Sequence, residues 1–320
     1  MDLSEIGAQA VRSWLVFYAV GLPFALLARR LGYTGFLPRM FVWSVLIPLV
    51  LCSAYAGVPY FFALLTFACL IACVELSRLA SETAPPAPTA RVRYFVVAAL
   101  AAFPWMYWAL VDTGFPWQLV PVAAAGSVLL YPGVGRPGES RRRSLSGRGT
   151  EARTLPPSVL GGTGALVGRA VGLGIGLACW VRILLLPSGF RFVLFAFSVV
   201  ALNDIIASVS GKLLGGPKPF SRLSPHKTLS GFVGGSASGM LVAYICWFAV
   251  PELDFAQVTV AGLLVVVAGT AGDLFASGVK RHYGIKDFGS FMGPCGGMLD
   301  RLDSLLSSGL VFYLYLQYVT

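Results

Sequence analysis

The chain has 320 residues, 57% of them hydrophobic and only 12% charged, about half the charged fraction of an average soluble protein. With a mean hydropathy of +0.77 and 6 Cys, this composition excludes a soluble globular, a disordered or a disulfide-framework chain and reads as an integral membrane protein. Net charge is +10, which suits nucleic acid, anionic lipid headgroups or an acidic substrate until the charges are located.

Apolar stretches near the ~20 residues needed to cross a hydrocarbon core fall at 12–28, 40–56, 58–76, 93–111, 115–132, 160–185, 190–209, 232–250, 256–276 and 304–320. The sequence therefore predicts an all-α fold, a polytopic helical bundle of about ten transmembrane helices, with nine as the alternative count. Asp2 and Glu5 precede the first stretch without a basic leader or a small-residue cleavage site, so that stretch reads as a retained helix.

The connections alternate in character. Those around Gly57, Asp112 to Gly114, Pro187 to Gly189 and Pro251 to Asp254 are very short. The other set is longer and basic, and it holds every Lys and Arg except Arg12, Arg169, Arg182 and Arg191. The positive-inside rule assigns that set to the cytoplasm and both termini to the outside. Within it, SETAPPAPTA (residues 81–90) reads as an extended connector. GESRRRSLSGRG (residues 138–149) reads as a solvated loop touching anionic headgroups, which argues for a lipid bilayer and no nucleic acid as the partner. Five cysteines lie inside apolar stretches and only Cys295 in a loop, so neither a zinc site nor a disulfide is indicated.

Acidic residues mark where the chemistry lies. The first 200 residues carry almost none inside an apolar stretch, whereas Asp204, Asp273, Asp300 and Asp303 lie within or at the cytoplasmic ends of such stretches, where a carboxylate is costly unless paired or bound to a cation. Asp204, Ser208 and Gly211 fall on one helical face, as do Asp273, Ser277 and Lys280. Each Asp taken alone reads as a helix cap or an ion-pair partner. Taken together, carboxylates from three helix ends suit a hard cation such as Mg²⁺. Ser224 to Gly235 (SPHKTLSGFVGG) and Lys280 to Ser304 (KRHYGIKDFGSFMGPCGGMLDRLDS) add cations and glycine-rich turns at helix starts, where backbone N–H groups meet phosphate oxygens.

These residues resemble a known family. Ser277-x-x-Lys280-Arg281-x4-Lys286-Asp287-x-Gly289, continuing to Gly296-Gly297-x-x-Asp300-Arg301-x-Asp303, is similar to the signature of phosphatidate cytidylyltransferase, also called CDP-diacylglycerol synthase. Ser224-Pro225-x-Lys227-Thr228-x-x-Gly231-x-x-Gly234-Gly235 and Asp204 seven residues before Gly211 support the resemblance, which covers the C-terminal third. Hydropathy and charge divide the chain into N-terminal transmembrane helices at 1–132, a basic cytoplasmic loop at 133–159 and a C-terminal transmembrane region at 160–320, which the resemblance makes the catalytic one.

The resemblance also implies a reaction, in which phosphatidate and CTP give CDP-diacylglycerol and pyrophosphate with Mg²⁺ required. Asp273 and Asp300 match the family's metal-binding positions, with Asp303 and Asp204 as further candidates for a two-cation site whose second ion is either divalent or monovalent. Lys227, Lys280 and Arg281 are expected at the reacting phosphates. Ser224, Thr228, Ser277, Lys286, Asp287, Gly296, Gly297 and Arg301 are expected in substrate binding. The expected setting is an integral membrane protein, in the inner membrane if the source is bacterial, with its site on the cytoplasmic face and a homodimer as one option.

Three departures stand in the motif region. Cys295 replaces the usual His before Gly-Gly, Ser230 replaces Glu before Gly231, and Ala276 replaces the Glu that often precedes Ser277. They motivate a second reading, a divergent or weakly active member using another lipid phosphate. A reading of another class, a transporter or channel, draws on the intramembrane acids and on Arg169 and Arg182, but its sites are expected near mid-membrane rather than at one interface. Arg182 is expected to snorkel outward, and the sequence offers no account of Arg169.

Overall fold

A computed structural model describes residues 15, 30, 36–82, 90–111, 159–221, 224 and 227–319. Among them every regular element is helical. The long helices are α1 (Phe36–Ala56), α2 (Val58–Glu82), α3 (Ala90–Leu110), α4 (Val159–Leu185), α5 (Gly189–Leu213), α6 (Leu229–Ile245), α7 (Phe255–His282) and α8 (Leu299–Val319), with short 3₁₀ turns at Cys246–Ala249 and Gly293–Cys295. Each coincides with an expected apolar stretch. The six from α2 to α7 are long and apolar enough to cross a membrane, so the chain is an all-α polytopic membrane protein. The expected spans at 12–28 (Leu15 apart) and 115–132, the basic loop at 133–158, and Asp112 and His226 lie outside the described residues.

Local chemistry sets the helix boundaries. Asp254 and Gln257 form a reciprocal capping box at the start of α7, with bonds of 2.7 and 2.9 Å, satisfying two of the N–H groups that a helix start leaves open. Thr228 caps α6 by accepting from the Gly231 N–H at 3.2 Å. Between α4 and α5, Ser188 adopts a left-handed φ of 61°, which lets the chain reverse within three residues.

The core lies around α5, whose side chains from Phe192 to Leu202 are buried without a break. Beside it, α6 approaches closely through small residues: a Cβ on Gly235 would come within 2.6 Å of the Ala207 Cβ. Such contact through small residues is how helices associate where lipid provides no hydrophobic drive. The indole of Trp180 on α4 donates to the Leu305 carbonyl of α8 at 2.9 Å. Both α4 and α7 pack on α8 while barely touching each other, so a cleft runs between them.

Arg182, near the end of α4, donates to the carbonyls of Val111 at 3.1 Å and Trp108 at 3.4 Å, and its guanidinium lies 4.8 Å from the Trp108 ring centre. It closes the exposed carbonyl end of α3 rather than only reaching for water. Nearby, the turn from α6 to α7 carries an aromatic cluster. Tyr244 stacks on Phe255 with ring centres 5.3 Å apart, and the Trp247 indole donates to the Leu253 carbonyl at 2.8 Å.

Candidate active site

Alternating helix directions bring the ends of α5 and α7 and the starts of α6 and α8 to the same side of the bundle, the side of the basic connections. Four ion contacts join the charged residues there. Lys227, just ahead of α6, places Nζ 2.6 Å from Asp273 Oδ2 on α7. Lys280 Nζ lies 2.8 Å from Asp300 Oδ1 and 3.9 Å from Asp303 Oδ2. Arg301 Nη1 lies 3.9 Å from Asp204 Oδ2 on α5, and its Nη2 donates to the Cys295 carbonyl at 2.7 Å. Asp303, whose side chain is 9% exposed, feels the charges of Asp273, Lys280 and Asp204 together.

The four aspartates lie at this one end of the bundle, but their environments differ. Asp300 is the most enclosed, 5% exposed: Oδ1 faces Lys280, and Oδ2 accepts from the N–H groups of Phe288 at 2.9 Å and Gly297 at 2.8 Å. Oδ2 thus holds the loop before α8, while Oδ1 ties that loop's end to α7 through Lys280. Asp204 and Asp273 are about one-third exposed. Asp303 Oδ1 accepts from the Ser304 N–H at 2.7 Å, so the oxygens open to a ligand are the second ones of Asp204 and Asp273 and, at 3.9 Å from Lys280, Asp303 Oδ2.

A hard cation fits this donor set. Four carboxylates face Lys227, Lys280 and Arg301, leaving one negative charge in excess, and all the donors are the oxygens that Mg²⁺ prefers. Crowded carboxylates in a poorly solvated pocket are costly without such a partner. Among the described residues no three acidic or thiol groups yet close on a single point, and the Lys227 ammonium occupies the position against Asp273 that a cation would compete for.

One residue of the site escaped the sequence reading. Glu75, on α2, is 2% exposed and accepts from the backbone N–H groups of Met298 and Leu299, both at 2.9 Å. Its carboxylate faces the positive end of the α8 dipole and fills the space beside Gly289 and Gly297, where a Cβ would collide with it. The glycines of this motif thus make room for a buried carboxylate. Gly296 adds a φ of 89°, a left-handed conformation that glycine adopts at no cost. The only sequence signal for Glu75 is an acid near the end of the apolar run of α2, in CVELSRLA.

The other expected residues divide into two groups. Thr228, Ser224 and Ser277 are buried, and Thr228 is committed to its cap. Arg281 directs Nη1 toward the Ile285 carbonyl at 3.5 Å, whereas Lys286 and Asp287 stand exposed on the loop. At the three departures, the Ser230 hydroxyl bonds the Gly215 carbonyl, Ala276 lines the cleft between α4 and α7, and Cys295 is buried and serves through its backbone carbonyl. Arg169 gains an account: Nη1 donates to the Tyr283 hydroxyl at 2.9 Å, with the guanidinium 5.0 Å from that ring's centre, so it belongs to the same end of the bundle.

Residues 37–319 match the family model described as the Cytidylyltransferase family. Over 133 residues the chain is 41% identical to a phosphatidate cytidylyltransferase of Brucella abortus biovar 1 (strain 9-941), covering 40% of this chain and 48% of that protein. It is 38% identical over 119 residues to a phosphatidate cytidylyltransferase of Staphylococcus haemolyticus (strain JCSC1435), 37% of this chain and 46% of that one. It is also 36% identical over 146 residues to an uncharacterized protein, YnbB, of Escherichia coli (strain K12), 44% of this chain and 48% of that one. The chain spans about half the length of the curated relatives it matches.

Proposed function

The chain belongs to the cytidylyltransferase family, and from that premise we propose that it is a membrane-embedded enzyme that joins the CMP unit of CTP to a lipid phosphate, phosphatidate by default. A phosphate oxygen of the lipid attacks the α-phosphorus of CTP. The bond from that phosphorus to the bridging oxygen of the β-phosphate breaks, and pyrophosphate leaves. The attacking oxygen is ionised at neutral pH, so no strong general base is required. A site of lysines, arginines and carboxylates suffices.

The observation that carries this reading is the set of linked ion contacts Lys227–Asp273, Lys280–Asp300/Asp303 and Arg301–Asp204 gathered from four elements at one end of the bundle. Lys227 and Lys280 supply mobile cationic heads for the triphosphate, and Arg301, fixed by the Cys295 carbonyl, supplies a rigid one. Asp273, Asp303 and Asp204 would hold Mg²⁺. When bound, that ion neutralises the triphosphate and stabilises the leaving pyrophosphate. Asp300 and Glu75 keep the glycine turn and the start of α8 in place beside these groups. The basic end is assigned to the cytoplasm, where CTP is found. Charge collected at one end rather than at mid-depth favours this reading over a transport pathway.

The test uses the detergent-solubilised full chain with CTP, Mg²⁺ and phosphatidate, following pyrophosphate release and the CDP-lipid together. Both products should form in equal amounts, and diacylglycerol, which lacks the phosphate, should give neither. No product with phosphatidate or with other lipid phosphates would remove the enzymatic reading.

A further inference from the structure

The cleft between α4 and α7, floored by α8, contains a cavity of about 330 Å³. Its deeper wall is hydrocarbon, from Leu173, Gly176, Leu306 and Leu310. Phe275, 37% exposed, stands among its lining residues, so the cavity reaches the side of the bundle that faces lipid. Its opposite end is charged, and two ionic groups meet it there: Asp303 from the carboxylate cluster, and Arg169. Arg169 is held in place by Tyr283 through Nη1, yet its Nη2 is buried and has no hydrogen-bond partner. A guanidinium stays charged at every accessible pH, so an unpartnered buried N–H on it is a binding capacity awaiting an anion.

We propose that this cavity takes one hydrocarbon chain of the acceptor lipid and that Arg169 grips the lipid's phosphate through Nη2, setting it beside the carboxylate cluster. The shape commits the ligand to a lipid rather than a free anion, because the volume beneath the guanidinium is apolar and would gain nothing from a headgroup alone. The direction also matches: Arg169 and Tyr283 lie at the basic end, and Leu310 and Gly176 lie deeper, as a phosphate and its tail lie in a leaflet. Arg169 is thereby an acceptor-binding residue outside the motif blocks. The proposal rests on the acceptor being a lipid phosphate, as set out above.

The experiment measures binding of radiolabelled dioleoyl phosphatidate to the full chain in mixed micelles, without CTP or divalent cation, beside steady-state kinetics. Arg169→Gln should weaken binding about tenfold or more and raise KM for phosphatidate with KM for CTP unchanged, while Arg169→Lys, which keeps the charge, should recover part of the loss. Leu310→Trp, filling the deep end, should shift preference from dioleoyl toward didecanoyl phosphatidate about fivefold or more. Wild-type binding by a well-folded Arg169→Gln variant, an unchanged chain-length preference in Leu310→Trp, or competition by glycerol 3-phosphate as effective as that by phosphatidate would overturn the assignment. Binding with this pattern but without pyrophosphate release would instead sink the proposed reaction and leave the lipid site standing. Turnover that ignores Arg169 would do the reverse.

Discussion

Replacing Glu75 by Ala should loosen the site without touching any residue of the motif. The carboxylate accepts two backbone N–H groups from the start of α8, at 2.9 Å each, while almost wholly buried. A bond to a charged acceptor contributes ~1.5–3 kcal/mol net, giving ~3–6 kcal/mol for two, from which the cost of burying the carboxylate subtracts. The expected net loss is ~3 kcal/mol, because the variant also leaves two orphaned donors and an empty space beside Gly289 and Gly297. At 1.36 kcal/mol per tenfold, that is roughly a 150-fold faster exchange of the Met298 and Leu299 amides. Hydrogen exchange by mass spectrometry on a peptide covering residues 289–302 of the detergent-purified chain reads it directly. Glu75→Gln keeps one accepting oxygen and should accelerate exchange only about tenfold. Turnover should fall in the same order. Unchanged protection of that peptide in Glu75→Ala would refute the anchoring role and the bond count behind it.

The two aspartates of the signature should separate in kind. Asp273→Asn should lower pyrophosphate release at least about a hundredfold while moving stability by less than ~1 kcal/mol, because its pair with Lys227 is partly solvated. A parallel loss of melting temperature would contradict that split. Asp300→Ala should lose turnover and stability together, by ~2–4 kcal/mol, since three donors lose their acceptor; a thermal midpoint equal to that of the parent would show that the loop does not depend on it. Arg182→Gln should lower the melting temperature and leave KM for CTP unchanged, as it frees only the carbonyl end of α3. Cys295→Ala should keep at least half of the activity, because Arg301 binds the Cys295 carbonyl and not its thiol; a collapse of activity would give the sulfur a role that the geometry does not.

What the sequence reveals depends on how far apart the partners lie. Asp204, Asp273, Asp300 and Asp303 are legible because acids inside apolar stretches are expensive, and their helical spacing points them one way. The helices follow from hydropathy. Glu75 is not legible, since its partners lie 223 and 224 positions away and an acid near the end of an apolar run reads equally well as an interfacial residue. Arg169 meets Tyr283 across 114 positions, with no local pattern to announce it. Asp300 shows a subtler gap: its place in the motif marks it as important, but only geometry reveals that one oxygen holds the loop and the other meets Lys280 of α7. Thr228, expected to meet substrate, also serves the general need of α6 for a cap, which its place in the motif does not announce.

The aromatic cluster at the turn between α6 and α7 acts as a depth gauge. Tyr and Trp settle where hydrocarbon gives way to headgroups, so Tyr244, Trp247 and Phe255 fix one rim of α7 at one face of the bilayer. At ~1.5 Å per residue, Asp273 stands roughly 27 Å below Phe255, nearly the ~30 Å width of the acyl region. The rest of α7, including Lys280, then rises among the opposite headgroups. A centre mounted at that height, working as proposed above to form a phosphoanhydride, would let a water-soluble nucleotide descend and a membrane-resident phosphate stay where it already floats, so neither reactant would have to leave its own phase.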